Sequence, residues 1–197
     1  MANQLGQGFA LTVISPIIAG HTNGTVHATE MRAAFNAVGV AADSPLARID
    51  TLHFARFTVL DDLRPQGMPF DDDHLASKYL VFVADFDGDL RSFLEALRTR
   101  AGEFTNAVWS NCLAWPGTSN ADAFRQYFEK CQLTSTFPFG AYAQTPLHRV
   151  LRALDSQRRL IAFLRTAQGL PPAEQLAAFQ SFTRELAAAP LPQPGTV

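Results

Sequence analysis

Cysteine is scarce in this chain of 197 residues, with Cys112 and Cys131 the only two. So sparse a pair does not make a disulfide framework; two reduced, packed thiols are expected, with a single bridge left open. Positive charge is not in excess either. Lys and Arg number 16 against 18 for Asp and Glu, a formal net charge of −2. The chain therefore lacks the basic field that gathers phosphate backbones or anionic lipid, and nucleic acid is not an expected partner. Long apolar runs are missing too: the longest, Phe9 to Ile18, is broken by Thr12, Ser15 and Pro16. It is too short to span a bilayer, and the polar start Met1 to Gly8 has neither the basic nor the apolar region of a secretory signal. A cytoplasmic protein without a membrane partner is expected, so Asn23-Gly24-Thr25 reads as a chance match to the glycosylation pattern. The familiar catalytic signatures are also absent: no Gly-x-Ser-x-Gly, His-Glu-x-x-His, phosphate loop, dinucleotide fingerprint or Cys-x-x-Cys occurs. That weakens hydrolase, kinase and dehydrogenase readings.

What is present is apolar periodicity, in a composition that is 47% hydrophobic. That supports one core, hence one domain over 1–197, with the core at 9–146, a helical extension at 147–188 and a disordered, proline-rich tail at 189–197. Phe9 to Ser15 reads as a strand ended by Pro16, and Met31, Phe35 and Val38 recur at helical spacing before Gly39. Thr51 to Leu60 and Tyr79 to Phe86 read as two strands joined by the polar stretch Asp61 to Ser77. Asp87-Gly88-Asp89 then stops the second strand, and Asp89 caps a helix that buries Leu90, Phe93, Leu94, Leu97 and Ala101. A further helix starts at Ser119-Asn120-Ala121-Asp122. Leu133 to Tyr142 has strand composition, and Pro138 assigns it to a sheet edge because proline cannot donate to the ladder. Two helices follow, one over Leu147 to Ile161 and one after Pro171-Pro172. This order predicts an α+β fold: a ferredoxin-like βαββαβ core with an antiparallel four-stranded sheet and additional C-terminal helices. Both central strands are apolar on both faces, so the face away from the core helices needs a cover, either the C-terminal helices or a second subunit.

The segments Leu52-His53-Phe54-Ala55-Arg56-Phe57 and Ala84-Asp85-Phe86-Asp87-Gly88-Asp89-Leu90, taken with the element order, resemble a group of bacterial ferredoxin-like proteins of no assigned activity. The resemblance spans residues 9 to 154. It implies membership of the dimeric α+β barrel superfamily, which includes haem peroxidases of the dye-decolourising type, chlorite-dismutase-like proteins and cofactor-free oxygenases. Fold alone carries none of those activities over. The peroxidases' Gly-x-x-Asp-Gly signature is reduced here to Asp87-Gly88 without the leading glycine.

Six residues are candidate pocket or ligand contacts. His53 could ligate haem iron or act as a base, or simply pack with one nitrogen bonded. Arg56 falls on the opposite strand face, so the two share a pocket only if a bulge intervenes. Asp85, with Asp87 and Asp89, superficially resembles a calcium loop, but the glycine and closing glutamate are missing, and strand termination and helix capping account for the three. Trp109 and Tyr142, with Trp115, Phe137 and Phe139, could line an apolar pocket or form core. His148 sits at a helix start among arginines, as an iron or anion contact or as part of a solvated face. Asp71-Asp72-Asp73-His74 reads as a solvated loop rather than a metal site, and Cys112 has no histidine nearby to activate it. No metal is assigned. The leading expectation is a small-molecule-binding or interaction protein, homodimeric, with an apolar pocket. The alternative is a haem- or oxygen-dependent oxidative enzyme with His53 or His148 at the iron, and a third reading is an accessory domain.

Overall fold

The computed structural model describes residues 3–22, 24–65, 67, 68 and 73–197, with Thr22 described by its backbone only. Asn23 of the glycosylation-like triplet and Asp71 and Asp72 of the acidic run lie outside the described residues. In chain order the elements are β1 (Gln4–Leu5), β2 (Gly8–Pro16), β3 (His21–Thr22), β4 (Thr25–Val26) and α1 (His27–Asn36). There follow β5 (Leu52–Leu60), β6 (Tyr79–Asp87), α2 (Leu90–Arg100), α3 (Gly102–Trp109) and α4 (Ala121–Cys131). The chain closes with β7 (Gln132–Leu133), α5 (Leu147–Ala167) and α6 (Pro172–Ala188). None of these helices is long and apolar enough to cross a membrane.

The fold is α+β, built on an antiparallel sheet. β2 and β6 pair along their whole length and β5 pairs with the far side of β6. The other side of β2 takes β1 at Gly8 and Phe9, and β7 at Thr12 and Val13. Strand alternation explains the burial: Leu11 and Val13 of β2 and Leu80, Phe82, Ala84 and Phe86 of β6 are buried, while their neighbours are half-buried. Helices α1 to α4 cover that face with Met31, Phe93, Leu94, Leu97, Phe104, Val108, Phe124 and Phe128.

Two helix starts follow directly from local chemistry. Asp89 accepts from the Ser92 amide at 3.0 Å and caps α2, as its position before Leu90 predicts. Asn120 does the same for α4 through the Ala123 amide at 3.0 Å. Between them the chain breaks at Ala101 and starts the separate helix α3, which the continuous apolar pattern did not announce.

Two expectations need correction, and of the two covers left open for the outer sheet face one is removed. The last strand is not Leu133 to Tyr142: β7 ends at Leu133, and Pro138 lies in irregular chain, with Phe137, Phe139 and Tyr142 exposed. A segment whose apolar side chains find no core has no packing reason to extend the sheet. The tail is not free. The Ala189 carbonyl accepts from Arg152 at 2.8 Å, that of Thr196 accepts from Arg158 at 3.0 Å, and a turn joins Gln193 to Thr196. Nor do α5 and α6 bury the outer sheet face, where Phe54 stays 74% exposed and Arg56 and Thr58 are exposed.

Candidate functional site

Register decides where the candidate residues meet. From Phe54 opposite Asp85 to Leu60 opposite Tyr79, β5 and β6 pair regularly, yet Leu52 stands opposite Phe86, one residue out of step. His53 is the extra residue of a β-bulge. Because one added residue reverses parity, Leu52 joins Ala55, Phe57 and Val59 on the helix side, and Phe54 and Arg56 face out. The unpaired His53 places Nε2 2.9 Å from Asp87 Oδ1, with both side chains about four-fifths covered.

Asp87 has a second partner. Its Oδ2 accepts the Leu147 amide at 2.7 Å, at the start of α5. Helix N-termini leave amides without intrahelical acceptors and favour a nearby negative charge. Pro146, the residue before α5, has no side chain that can supply an acceptor, and the Asp87 carboxylate fills that role from the end of β6. One carboxylate thus links the strand end, the bulge histidine and the C-terminal helices.

His53 also lines a cleft of about 480 Å³ beside β5, on the helix side. Phe35, Phe57 and Phe104 make an aromatic wall, with the Phe57 and Phe104 rings edge to face at 5.6 Å. Val38, Leu46, Ala47, Leu52 and Ala55 add aliphatic surface, while among the described residues His53 and Ser44 are the only ones with polar side chains that line it. Ser44 is already engaged, its Oγ accepting the Leu46 amide at 3.3 Å. The tail closes the outer rim with Pro194 and Gly195. Gly195 has φ +80, and a Cβ there would lie 2.6 Å from the Ala41 carbonyl carbon and the Ala42 nitrogen. Only glycine fits so close an approach at this backbone angle. Gly195→Val is therefore expected to lift the tail off the cleft and raise amide exchange at Thr196 by at least about tenfold, read by mass spectrometry or NMR.

The other candidates lie elsewhere. Arg56 is exposed on the outer face, close enough to Asp85 for its charge to act there. Burial pushes the Asp85 carboxyl upward from its ordinary value, and the charges of His53 and Arg56 pull against that. His53, Arg56 and Asp85 thus lie within electrostatic reach of one another, but only His53 lines the cleft. The three aspartates have different roles: only Asp89 caps a helix of its own, Asp87 bridges His53 and Leu147, and Asp85 lies inside β6. Trp109 is fully buried core, packed on Phe57, Phe82 and Phe128, and is no pocket wall. Tyr142 is 78% exposed and His148 lies on a solvated surface, so neither reaches the cleft.

Haem, which the superfamily resemblance brings into question, does not fit these residues. Among the described residues no Arg or Lys lines the cleft to meet propionates, and the second candidate histidine, His148, is exposed and absent from the cleft lining. Cys112 is no nucleophile: burial, with Cys131 close by, pushes its thiol up to about 12. Among the described residues no group of His, Cys, Asp and Glu is arranged to hold a metal ion. His74 instead pairs with Asp62 at 2.7 Å, and Asp62 also accepts the amides of Leu75 and Leu63.

Those bonds, the Leu75 amide first and His74 next, hold the Asp62 carboxyl at about 2, below its ordinary 3.8. A carboxyl depressed on folding stabilises above its unfolded value and loses that contribution as pH falls through the folded one. The tie between Asp62 and Leu75 should accordingly persist at pH 5 and vanish between about pH 4 and pH 2, seen as faster exchange of the Leu75 amide.

No family model, curated protein or solved structure matches the chain. The site therefore stands on its own geometry. Sequence patterns point to His53 but not to Asp87 as its partner, because the link needs a bulge and a helix start 60 residues further on. They do not point to Phe35, Phe104 or Gly195 as cleft residues either. A glycine among prolines was the one available sign that the tail approaches another segment closely.

Proposed function

We propose that this chain binds a small, mainly apolar molecule in the cleft beside β5, on a ferredoxin-like scaffold that forms a homodimer. The observation that carries the reading is the cleft itself: about 480 Å³, aromatic and aliphatic walls, and one histidine held in place by a carboxylate. Apolar hollows with few fixed polar groups are what small-molecule sites look like.

The ferredoxin-like assignment is supported by β7, β2, β6 and β5 lying in that order, all antiparallel, with α1 between β2 and β5 and helices between β6 and β7. It departs from the plain pattern in its two-residue last strand and in the added β1 and β3–β4 pairs. The homodimer is supported by the outer sheet face, where Phe54 is exposed beside half-buried Val81, Val83 and Ile14. A second copy presenting the same face covers both across a two-fold axis.

The neutral fluorophore N-phenyl-1-naphthylamine tests the binding reading. Saturable enhancement at one site per chain, lost when Ala47→Phe fills the cleft, is expected. Enhancement that survives Ala47→Phe unchanged would refute it. Mass in solution tests the dimer, with Phe54→Asp expected to give monomers and a monomeric parent to refute it.

A further inference from the structure

We infer that the molecule bound in this cleft is neutral and carries a hydroxyl, as an alcohol or a phenol does, which donates its hydrogen to Nδ1 of His53. The inference rests on the cleft being a binding site and concerns what that site selects.

Hydrogen-bond accounting gives the polarity of the imidazole. An ionised carboxylate only accepts. Asp87 accepts the Leu147 amide through Oδ2 at 2.7 Å and faces His53 Nε2 through Oδ1 at 2.9 Å, so Nε2 is assigned the hydrogen. In the neutral ring the other nitrogen, Nδ1, is then a bare acceptor. No donor among the described residues reaches it, although the side chain is only 21% exposed. His53 lines the apolar hollow, so a ligand seated there displaces water from the second ring nitrogen and can bring the donor in its place.

The rest of the lining narrows the chemistry. Among the described residues no Arg or Lys lines the cleft to hold an anion, and no Asp or Glu lines it to hold a cation. An ionised group placed there is desolvated without a partner, whereas a neutral hydroxyl is not penalised in that way. Ser44 offers no competing acceptor of the same kind, since its Oγ already takes the Leu46 amide. Phe35, Phe57 and Phe104 supply faces and edges for an aromatic or otherwise flat body.

Three probes of one shape separate the possibilities: 4-hydroxybiphenyl, biphenyl and biphenyl-4-carboxylate, each displacing the naphthylamine from the full-length chain. The hydroxyl compound should bind about tenfold more tightly than biphenyl, which corresponds to about 1.4 kcal/mol, and the carboxylate most weakly. In His53→Phe, which keeps a ring and removes the acceptor, that preference should disappear while biphenyl binding persists. The 15N resonance of Nδ1 should move on adding 4-hydroxybiphenyl and stay put on adding biphenyl. Equal binding of hydroxybiphenyl and biphenyl, with both displaced by Ala47→Phe, would overturn the inference and leave the cleft reading standing. A preference for the carboxylate would overturn it in favour of an anionic ligand. Failure of all three probes, with naphthylamine binding indifferent to Ala47→Phe, would overturn the inference and the cleft reading together.

Discussion

Trp109→Ala should lower the unfolding free energy by about 3–5 kcal/mol, the loss that follows when a large ring is cut out of a packed core. Trp109 is completely buried, with ring centroids 5.3 Å from Phe82, 5.8 Å from Phe57 and 5.1 Å from Phe128. Its Nε1 donates to Ser15 Oγ at 3.3 Å, deep inside the sheet face. Truncation thus opens a large cavity and also leaves the buried Ser15 hydroxyl without this donor. Against a total stability of roughly 5–15 kcal/mol, typical of a single domain, that loss is roughly a fifth to all of it. Urea denaturation reads the loss. Tyr142→Ala, at an exposed aromatic that looks equally pocket-like in sequence, should change stability by no more than about 0.5 kcal/mol. Equal effects at the two positions would contradict the placement of the core.

Asp87→Ala should destabilise by about 1–3 kcal/mol and loosen the start of α5. The substitution removes the acceptor of the Leu147 amide and the partner of His53 Nε2 at once. Since α5 has no side-chain cap, nothing local replaces the lost acceptor. Amide exchange at Leu147 should rise with the fall in urea midpoint, while helices α2 and α4, capped by Asp89 and Asn120, keep their protection. His53, released from its tether, should lose its preference for a hydroxyl-bearing ligand. An unchanged midpoint together with unchanged Leu147 exchange would show that Asp87 neither caps nor positions.

The contrast between these two residues shows what the sequence could disclose. Alternation of Leu11, Val13 and of Leu80, Phe82, Ala84 marks β2 and β6 because period-2 patterning is a property of neighbouring residues. Asp89 was legible for the same reason, since a cap acts within three residues of itself, and the start of α4 was legible to within a residue, the capping-box pattern pointing to Ser119 where Asn120 is the cap. The bulge at His53 was not legible. Leu52 is apolar, as are Ala55, Phe57 and Val59, so an unbroken strand and a bulged one present equally plausible patterns. Asp87 looked like punctuation between a strand and a helix, and its partners, His53 and Leu147, become neighbours only in three dimensions. The tail's proline content suggested disorder, yet contacts from Arg152 and Arg158 on α5 hold it. Trp109 and Tyr142 carry similar aromatic surface, and only the packing of α3 onto the sheet separates a core residue from an exposed one.

Chemical-shift mapping of the 15N-labelled chain during titration with 4-hydroxybiphenyl tests the central claim most directly. The account predicts saturable shifts concentrated at Phe35, Val38 and Ala47, at Leu52, His53, Ala55 and Phe57, at Phe104 and at Gly195 in the tail, all of which line the cleft. Shifts confined to Phe54, Val81 and Val83 on the outer sheet face, or to the space between α5 and α6, would contradict it.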